Sequence, residues 1–263
     1  MVRWAAVKKS PSPLNTRCPV LRIARRARIP CIALTLALAG MAASFARAYP
    51  QQRTKWTTEQ VLRELDDATK KFHSLTADVE RTTVTVAVND RSTESGKIFL
   101  RSDKKMRIEL TKPDQRTILR DDDKVWHYLP KTKRVEEYDL GKHAGLADSL
   151  LSLGLGSSGS SLKKQYQVTV IGEDTLEKSK TVVLELVPKD EKFRNQIARI
   201  QLWVDTSNWL AIQQKLFETG SGDYIIILYS NINTKEKLRE SEFKPNWPKD
   251  VTVVKPQAGD SGS

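Results

Sequence analysis

The sequence predicts a mainly β fold: one large antiparallel sheet of about eleven strands, with helical pieces at the start and in mid-chain. Three observations predict it. From Leu75 to Ile232, run after run places apolar residues at every second position, the period of a strand with one buried face. Short segments rich in Asp, Asn, Gly, Pro and Lys join the runs; such links suit hairpins, because parallel neighbours need long crossovers. Only "TTEQVLRELDDATKKFHSL" and "GKHAGLADSLLSLGLGSSGSS" leave that period for a helical one.

The first 48 residues stand apart. They carry nine Lys/Arg and no Asp or Glu, then the apolar run Ile29 to Phe45, then Ala46-Arg47-Ala48. Basic, apolar and small-residue regions in that order make a secretory signal peptide, with cleavage expected after Ala48. Its removal changes the charge argument. The whole chain is +12, but without those nine positives 35 Lys/Arg face 32 Asp/Glu, or +3. The basic balance therefore argues little for nucleic acid, and no nucleic-acid partner is expected. Cys18 and Cys31 also lie upstream of the cut, so the exported chain would hold no disulfide, thiolate ligand or thiol nucleophile. Residues 49–254 are read as one domain and 255–263 as a disordered polar tail.

The domain opens on a helix. Val61, Leu62, Leu65, Ala68 and Phe72 fall three and four apart, so they share a face. Thr57 and Gln60 suit a capping box, and Lys70 and Lys71 suit the negative end. The strand-like runs follow: "TADVERTTVTVAV", "GKIFLRS", "KKMRIELTKP", "QRTILR", "KVWHYLP", "RVEEYDL", "KQYQVTVIGE", "KTVVLELVPK", "QIARIQLWVD", "WLAIQQKLFE" and "DYIIILYSNI". "NDRSTES" between the first two reads as a turn. The Leu-rich mid-chain piece reads as a short apolar helix ending in a flexible Gly/Ser stretch. A sheet this long tends to curl or close. If it curls around the helices, they can plug the mouth of a cavity. Apolar residues on both strand faces fit either burial against the helices or an apolar interior for a ligand.

The apparent chemical motifs dissolve under geometry. "RDDDKVWHYLPKTKRVEEY" offers three adjacent carboxylates before His127, yet successive strand side chains point to opposite faces and cannot converge. Asp favours tight turns, so "RDDDKV" reads as a hairpin turn and "PKTKR" as the next. Gly154 to Gly159 spell GxGxxG, but a helical run precedes them where a dinucleotide fingerprint needs a strand. His73, His127 and His143 show no metal-ligand spacing, and G-x-S-x-G is missing. No catalytic residue, metal or cofactor is expected.

The order of elements from Gly96 to Pro130 resembles the periplasmic outer-membrane lipoprotein carrier family, LolA and its relatives. It runs through a Gly-led strand at Gly96, Lys112-Pro113, the turn at Asp121 to Asp123, and Trp126-Tyr128-Pro130. "FHSLTADVE", "LWVDTSNWLAIQQ" and "FKPNWPKDVTVV" extend the likeness over nearly all of the exported chain. The resemblance implies an unclosed antiparallel β-barrel with a helical lid over a hydrophobic cavity. It also implies a non-enzymatic periplasmic carrier that takes acylated lipoproteins from an inner-membrane ABC transporter to an outer-membrane receptor; a monomer is expected. Candidate cavity-wall residues are Met106, Ile108, Leu110, Trp126, Leu202, Trp203 and Ile226; candidate lid residues are Leu62, Leu65, Leu150 and Leu151. The family's lid-holding arginine aligns with Ser102, so the neighbouring Arg101 is the latch candidate. Two further readings share the fold: a carrier of another lipid, and an envelope sensor domain that binds a protein partner.

Overall fold

The computed structural model describes residues 54–139 and 153–255. The signal peptide with its cleavage site, the lid candidates Leu150 and Leu151, and all but Lys255 of the polar tail lie outside the described residues.

Helix α1, Thr58–Lys71, begins where its caps place it. Thr57 accepts the Gln60 backbone N–H and the Gln60 side chain reaches back to the Thr57 N–H, with Glu59 in the first turn and Lys70 and Lys71 in the last. Strands β1 (Ser74–Thr85), β2 (Asp90–Arg101), β3 (Lys105–Lys112), β4 (Arg116–Asp121), β5 (Lys124–Leu129) and β6 (Arg134–Asp139) form a meander. After the short helix α2 (Gly159–Gln165) come β7 (Tyr166–Leu176), β8 (Ser179–Pro188), the single turn α3 (Glu191–Arg194), β9 (Ile197–Asp205), β10 (Ala211–Glu218) and β11 (Tyr224–Asn233). A three-residue strand β12, Thr252–Val254, is the last described element.

All twelve strands join one sheet in the order β12-β6-β5-β4-β3-β2-β1-β11-β10-β9-β8-β7. Every pairing is antiparallel except β12 with β6, which is parallel. The two edge strands do not pair, so the sheet is an unclosed barrel with a small helical region packed on one face. The eleven alternating runs are all strands here. The twelfth, too short to show a period, is fixed by Thr252 donating to the Lys133 carbonyl and by register with Arg134 to Glu136.

Two local readings change. "NDRSTES" is strand rather than turn: the reversal sits earlier, in the 3₁₀ turn Val86–Val88, with Asn89 at φ 50° supplying the left-handed residue. Val86 and Val88 continue the apolar alternation but stand exposed at the hairpin tip. The Gly/Ser stretch is not all loop either. Ser158 accepts the Ser161 N–H and starts α2 at Gly159. Its neighbour forces a glycine there, since a Cβ on Gly159 would lie 2.0 Å from the Leu62 carbonyl oxygen of α1. The last glycine of the GxGxxG spelling thus records a close helix–helix approach, and Gly154 and Gly156 take positive φ, 77° and 84°. The "RDDDKV" turn is as expected, with Asp122 at φ 54° between β4 and β5.

Strand alternation sorts the core onto both faces. On the inner, helix-bearing face, Val61, Leu62 and Leu65 of α1 and Leu162 of α2 pack on Leu184, Leu186, Ile200, Leu202 and Leu216. Beside them Leu75, Val79, Ile98, Met106, Leu110 and Tyr229 form a second cluster, topped by Leu155 and Phe72. The outer face of β2–β5 is covered by the C-terminal segment, whose Leu238 and Phe243 bury Leu119 together with Phe99, Trp126 and Trp247.

Candidate functional site

The inner face is not filled everywhere. Where the helices stop, a cavity of about 400 Å³ remains, lined by Val79, Ile98, Ile108, Leu110, Ile118, Leu216, Ile225 and Ile227, with Tyr229, Arg81, Arg116 and His127 at its margins. Its size falls in the range of small-ligand sites, roughly 300–1,000 Å³. Leu216 on β10 and His127 on β5 are six strands apart in the sheet order. At about 4.8 Å per strand that is about 29 Å of arc, so the sheet must curl for both to line one cavity. A second pocket of about 210 Å³ lies beside it, beneath Leu153, Leu155 and Leu162 and against Leu100 and Met106.

The apolar floor has one buried polar pair. Gln214 donates through Nε2 to the Leu153 carbonyl at 2.6 Å and to the Tyr229 hydroxyl at 2.9 Å. Burial pushes the Tyr229 phenol well above its ordinary range. Gln214 thereby ties the segment leading into α2 to the sheet, next to the cavity.

The candidate residues separate by strand parity. Ile108 and Leu110 line the cavity, and Met106 lines the smaller pocket. Leu202 sits under α1 in the core, with Leu62 and Leu65 packed in the same cluster. Trp126, Trp203 and Ile226 belong to the outer face. Trp126 packs toward Leu119 and donates to Glu137 at 3.1 Å, and Trp203 donates to Asp174 at 2.9 Å. Their neighbours in sequence, His127, Leu202, Ile225 and Ile227, are the inward ones, because a one-residue step on a strand reverses the face. Ile98, Ile118, Ile225 and Ile227 were not singled out in the sequence; register with Ile108 would have found the first two, since Ile98 and Ile118 pair directly with it across β2 and β4.

Arg101 also follows parity. It stands on the outer face and grips the C-terminal segment instead of the helices. It makes a two-pronged contact with Asp103 at 2.8 and 2.6 Å, meets Glu240 at 2.5 Å and the Leu238 carbonyl at 3.3 Å, and lies 5.2 Å over the Phe243 ring. Lys105 adds Asp121 and Glu240. These hydrogen bonds raise the affinity of Arg101 and Lys105 for their protons and depress the carboxyls of Asp103 and Glu240 below the usual range. A latch is present here, but it fastens the C-terminal segment.

One margin of the inner-face cavity is charged. Arg81 and Arg116 both reach Glu94, and His127 Nδ1 lies 3.5 Å from Glu136, which also accepts from Tyr138 and pairs with Arg134. Burial, then the nearby Arg116 charge, lowers the His127 imidazole below its ordinary value, against the pull of Glu136 and Glu94. The unfolded chain therefore binds a proton at His127 before the folded chain does, and stability rises with pH through that window. Stability should fall as pH drops below about 6.5, the ordinary histidine value, and His127→Gln should flatten that limb in thermal melts at pH 5 to 7. An unchanged slope in the variant would assign the effect elsewhere. Among the described residues, no group of three or more His, Cys, Asp or Glu could hold a metal ion.

Comparison with known proteins bears on the fold. A family model described only as an uncharacterized protein matches residues 102–232. No curated protein matches the chain significantly. Among solved structures, an uncharacterized conserved protein from Thermus thermophilus superposes with a TM-score of 0.52 at 13% identity, over 75% of this chain and 98% of that one. MucB aligns at 0.49 and 17% identity, over 75% of this chain and 65% of its own. A LolA superfamily protein from Nitrosomonas europaea aligns at 0.39 and 14%, over 72% and 98%. With an open, mostly antiparallel twelve-stranded sheet and a small helical layer on its inner face, the chain shares the fold of the Thermus thermophilus protein.

Proposed function

We propose that this chain is an exported periplasmic carrier that shelters acyl chains in its inner-face cavity and moves lipoproteins from the inner to the outer membrane. The observation that carries the reading is the apolar cavity itself: eight aliphatic side chains from six adjacent strands face a space that the core leaves unfilled. Each buried acyl methylene gains about 0.8 kcal/mol, so such a wall holds a chain that water rejects. The resemblance from Gly96 to Pro130 supports lipoproteins as the cargo, with an ABC transporter as donor and an outer-membrane receptor as acceptor. The N-terminal signal supports the periplasm, with cleavage after Ala48; the working form we propose is a monomer. Leu62 and Leu65, buried between α1 and the sheet, would move with α1 if it acts as a lid.

Native mass spectrometry and lipid extraction of the exported protein test the reading. Co-purifying lipid, or micromolar binding of a fluorescent fatty-acid probe, is expected. Ile108→Trp, which fills the cavity from β3, should weaken probe binding about tenfold or more while the protein still melts cooperatively. Recovery without lipid, together with no probe binding, would sink the proposal.

A further inference from the structure

The charged margin of the cavity is unevenly balanced. Arg81 on β1 and Arg116 on β4 meet the same oxygen of Glu94 on β2, at 2.9 and 2.5 Å. Two guanidiniums share one carboxylate, which leaves one unit of positive charge. The next pair along the inner face, Arg134 and Glu136, is neutral, and the lowered affinity of His127 for protons keeps it neutral too. All three sites are partly withdrawn from water: the Arg116 and His127 side chains keep about a quarter of their surface exposed, and Glu94 about a sixth. Screening there is weaker than at an open surface.

Two polar atoms at this margin are buried and have no hydrogen-bond partner among the described residues: Nε of Arg116 and Nε2 of His127. Both side chains line the same cavity as Ile98, Ile108 and Ile118. Nε of Arg116 is a donor. With Nδ1 of His127 turned to Glu136, its Nε2 is the acceptor nitrogen. A buried polar atom left unpaired bears its full desolvation cost. A ligand headgroup that supplies an anionic oxygen to Arg116 and a hydroxyl hydrogen to His127 removes that cost.

Building on the carrier reading, we infer that the cavity is an amphiphile site with a built polar end. The acyl chain lies along Ile98, Ile108 and Ile118, and an oxyanion headgroup sits between Arg81, Arg116 and His127. The shared chemistry is an anionic oxygen on a long apolar tail, found in a fatty-acid carboxylate and in a lipid phosphate; both satisfy Arg116, and only a protonated phosphate oxygen also gives His127 Nε2 a hydrogen. A guanidinium holds either through charge-assisted hydrogen bonds. Two tail-bearing compounds with the same chain and different charge should therefore bind differently.

The test compares palmitate with methyl palmitate, and dipalmitoyl phosphatidate with dipalmitoylglycerol, by titration of the exported protein. Each anion is expected to bind at least tenfold more tightly than its neutral partner. The stronger preference in one pair tells carboxylate from phosphate. Arg116→Leu should reduce the preference for each anion over its neutral partner to within about twofold, and Arg116→Lys should keep part of it. The wild-type comparison needs no variant, so a misfolded Arg116→Leu protein does not leave the question open. Equal binding of acid and ester, and of phosphatidate and diacylglycerol, would overturn the headgroup site while leaving the carrier reading intact. Binding of none of the four would overturn both.

Discussion

Phe243→Ala is expected to destabilise the protein by about 3–5 kcal/mol, the usual cost of removing a buried aromatic ring. Phe243 is completely buried, yet it belongs to a 3₁₀ turn, Glu240–Phe243, in the stretch between β11 and β12, which has no strand or long helix. Its ring is the anchor that lets Leu238 and Trp247 cover Leu119 and Phe99 on the outer face of the sheet. Around it Arg101 and Lys105 converge on Glu240, and Arg107 donates to the Glu242 carbonyl at 3.2 Å. Without the ring those ion pairs lose the platform that orders them. At about 2–4 °C per kcal/mol for a domain of this size, the melting temperature should fall by roughly 6–20 °C, and proteolysis should open the C-terminal segment first. A shift under a few degrees, with the segment still protected, would mean that the polar contacts alone hold it.

Gly159→Val should be the second large effect, about 2–3 kcal/mol or more. The new Cβ would stand 2.0 Å from the Leu62 carbonyl oxygen and 2.6 Å from its carbon, atoms of a helix backbone that cannot swing aside as a side chain does. Helix α2 must therefore part from α1, uncovering Leu62, Leu162 and the strand residues beneath them. Thermal melts check the stability. Amide exchange checks the mechanism, since protection should drop in α1 and α2 before it drops in β8 and β9. Uniform loss across the sheet would count against a local separation.

How much of this was readable from the letters divides along one line. Alternation announced every strand from β1 to β11, because hairpin turns keep neighbours in the antiparallel order that the short links demanded. Alternation did not announce the face. Phe99, Leu119 and Trp126 are as apolar as Ile98, Ile118 and the cavity wall, because the C-terminal segment buries the outer face of β2–β5 as the helices bury the inner one. Where both faces are covered, hydrophobicity stops distinguishing them, and the choice of Trp126 over His127 followed from that. Trp203 on β9 and Ile226 on β11 lie beyond that cover, half-buried on the outer face, and their apolar character alone did not tell the side. The charged margin was hidden for another reason. Glu94 and Arg116 lie 22 residues apart and meet only across the β2–β3–β4 meander, a partnership with no local spacing to reveal it. Val86 and Val88 show the reverse error, apolar letters that continue a pattern past the point where the chain turns.

The sheet ends on β7 at one side and on β12 at the other, and these never meet. In a closed barrel the strand number and stagger fix the bore, and a wider ligand must break ladder hydrogen bonds to enter. Here, among the described residues, the gap between the two rims carries no strand-to-strand hydrogen bonds. The sheet can uncurl by small changes of twist spread over twelve strands while every rung stays intact. The diameter of the interior is then a soft coordinate and the ladder a stiff one; on the carrier reading proposed above, cargo of different girth would share one pocket, and letting go would require flexing rather than unfolding.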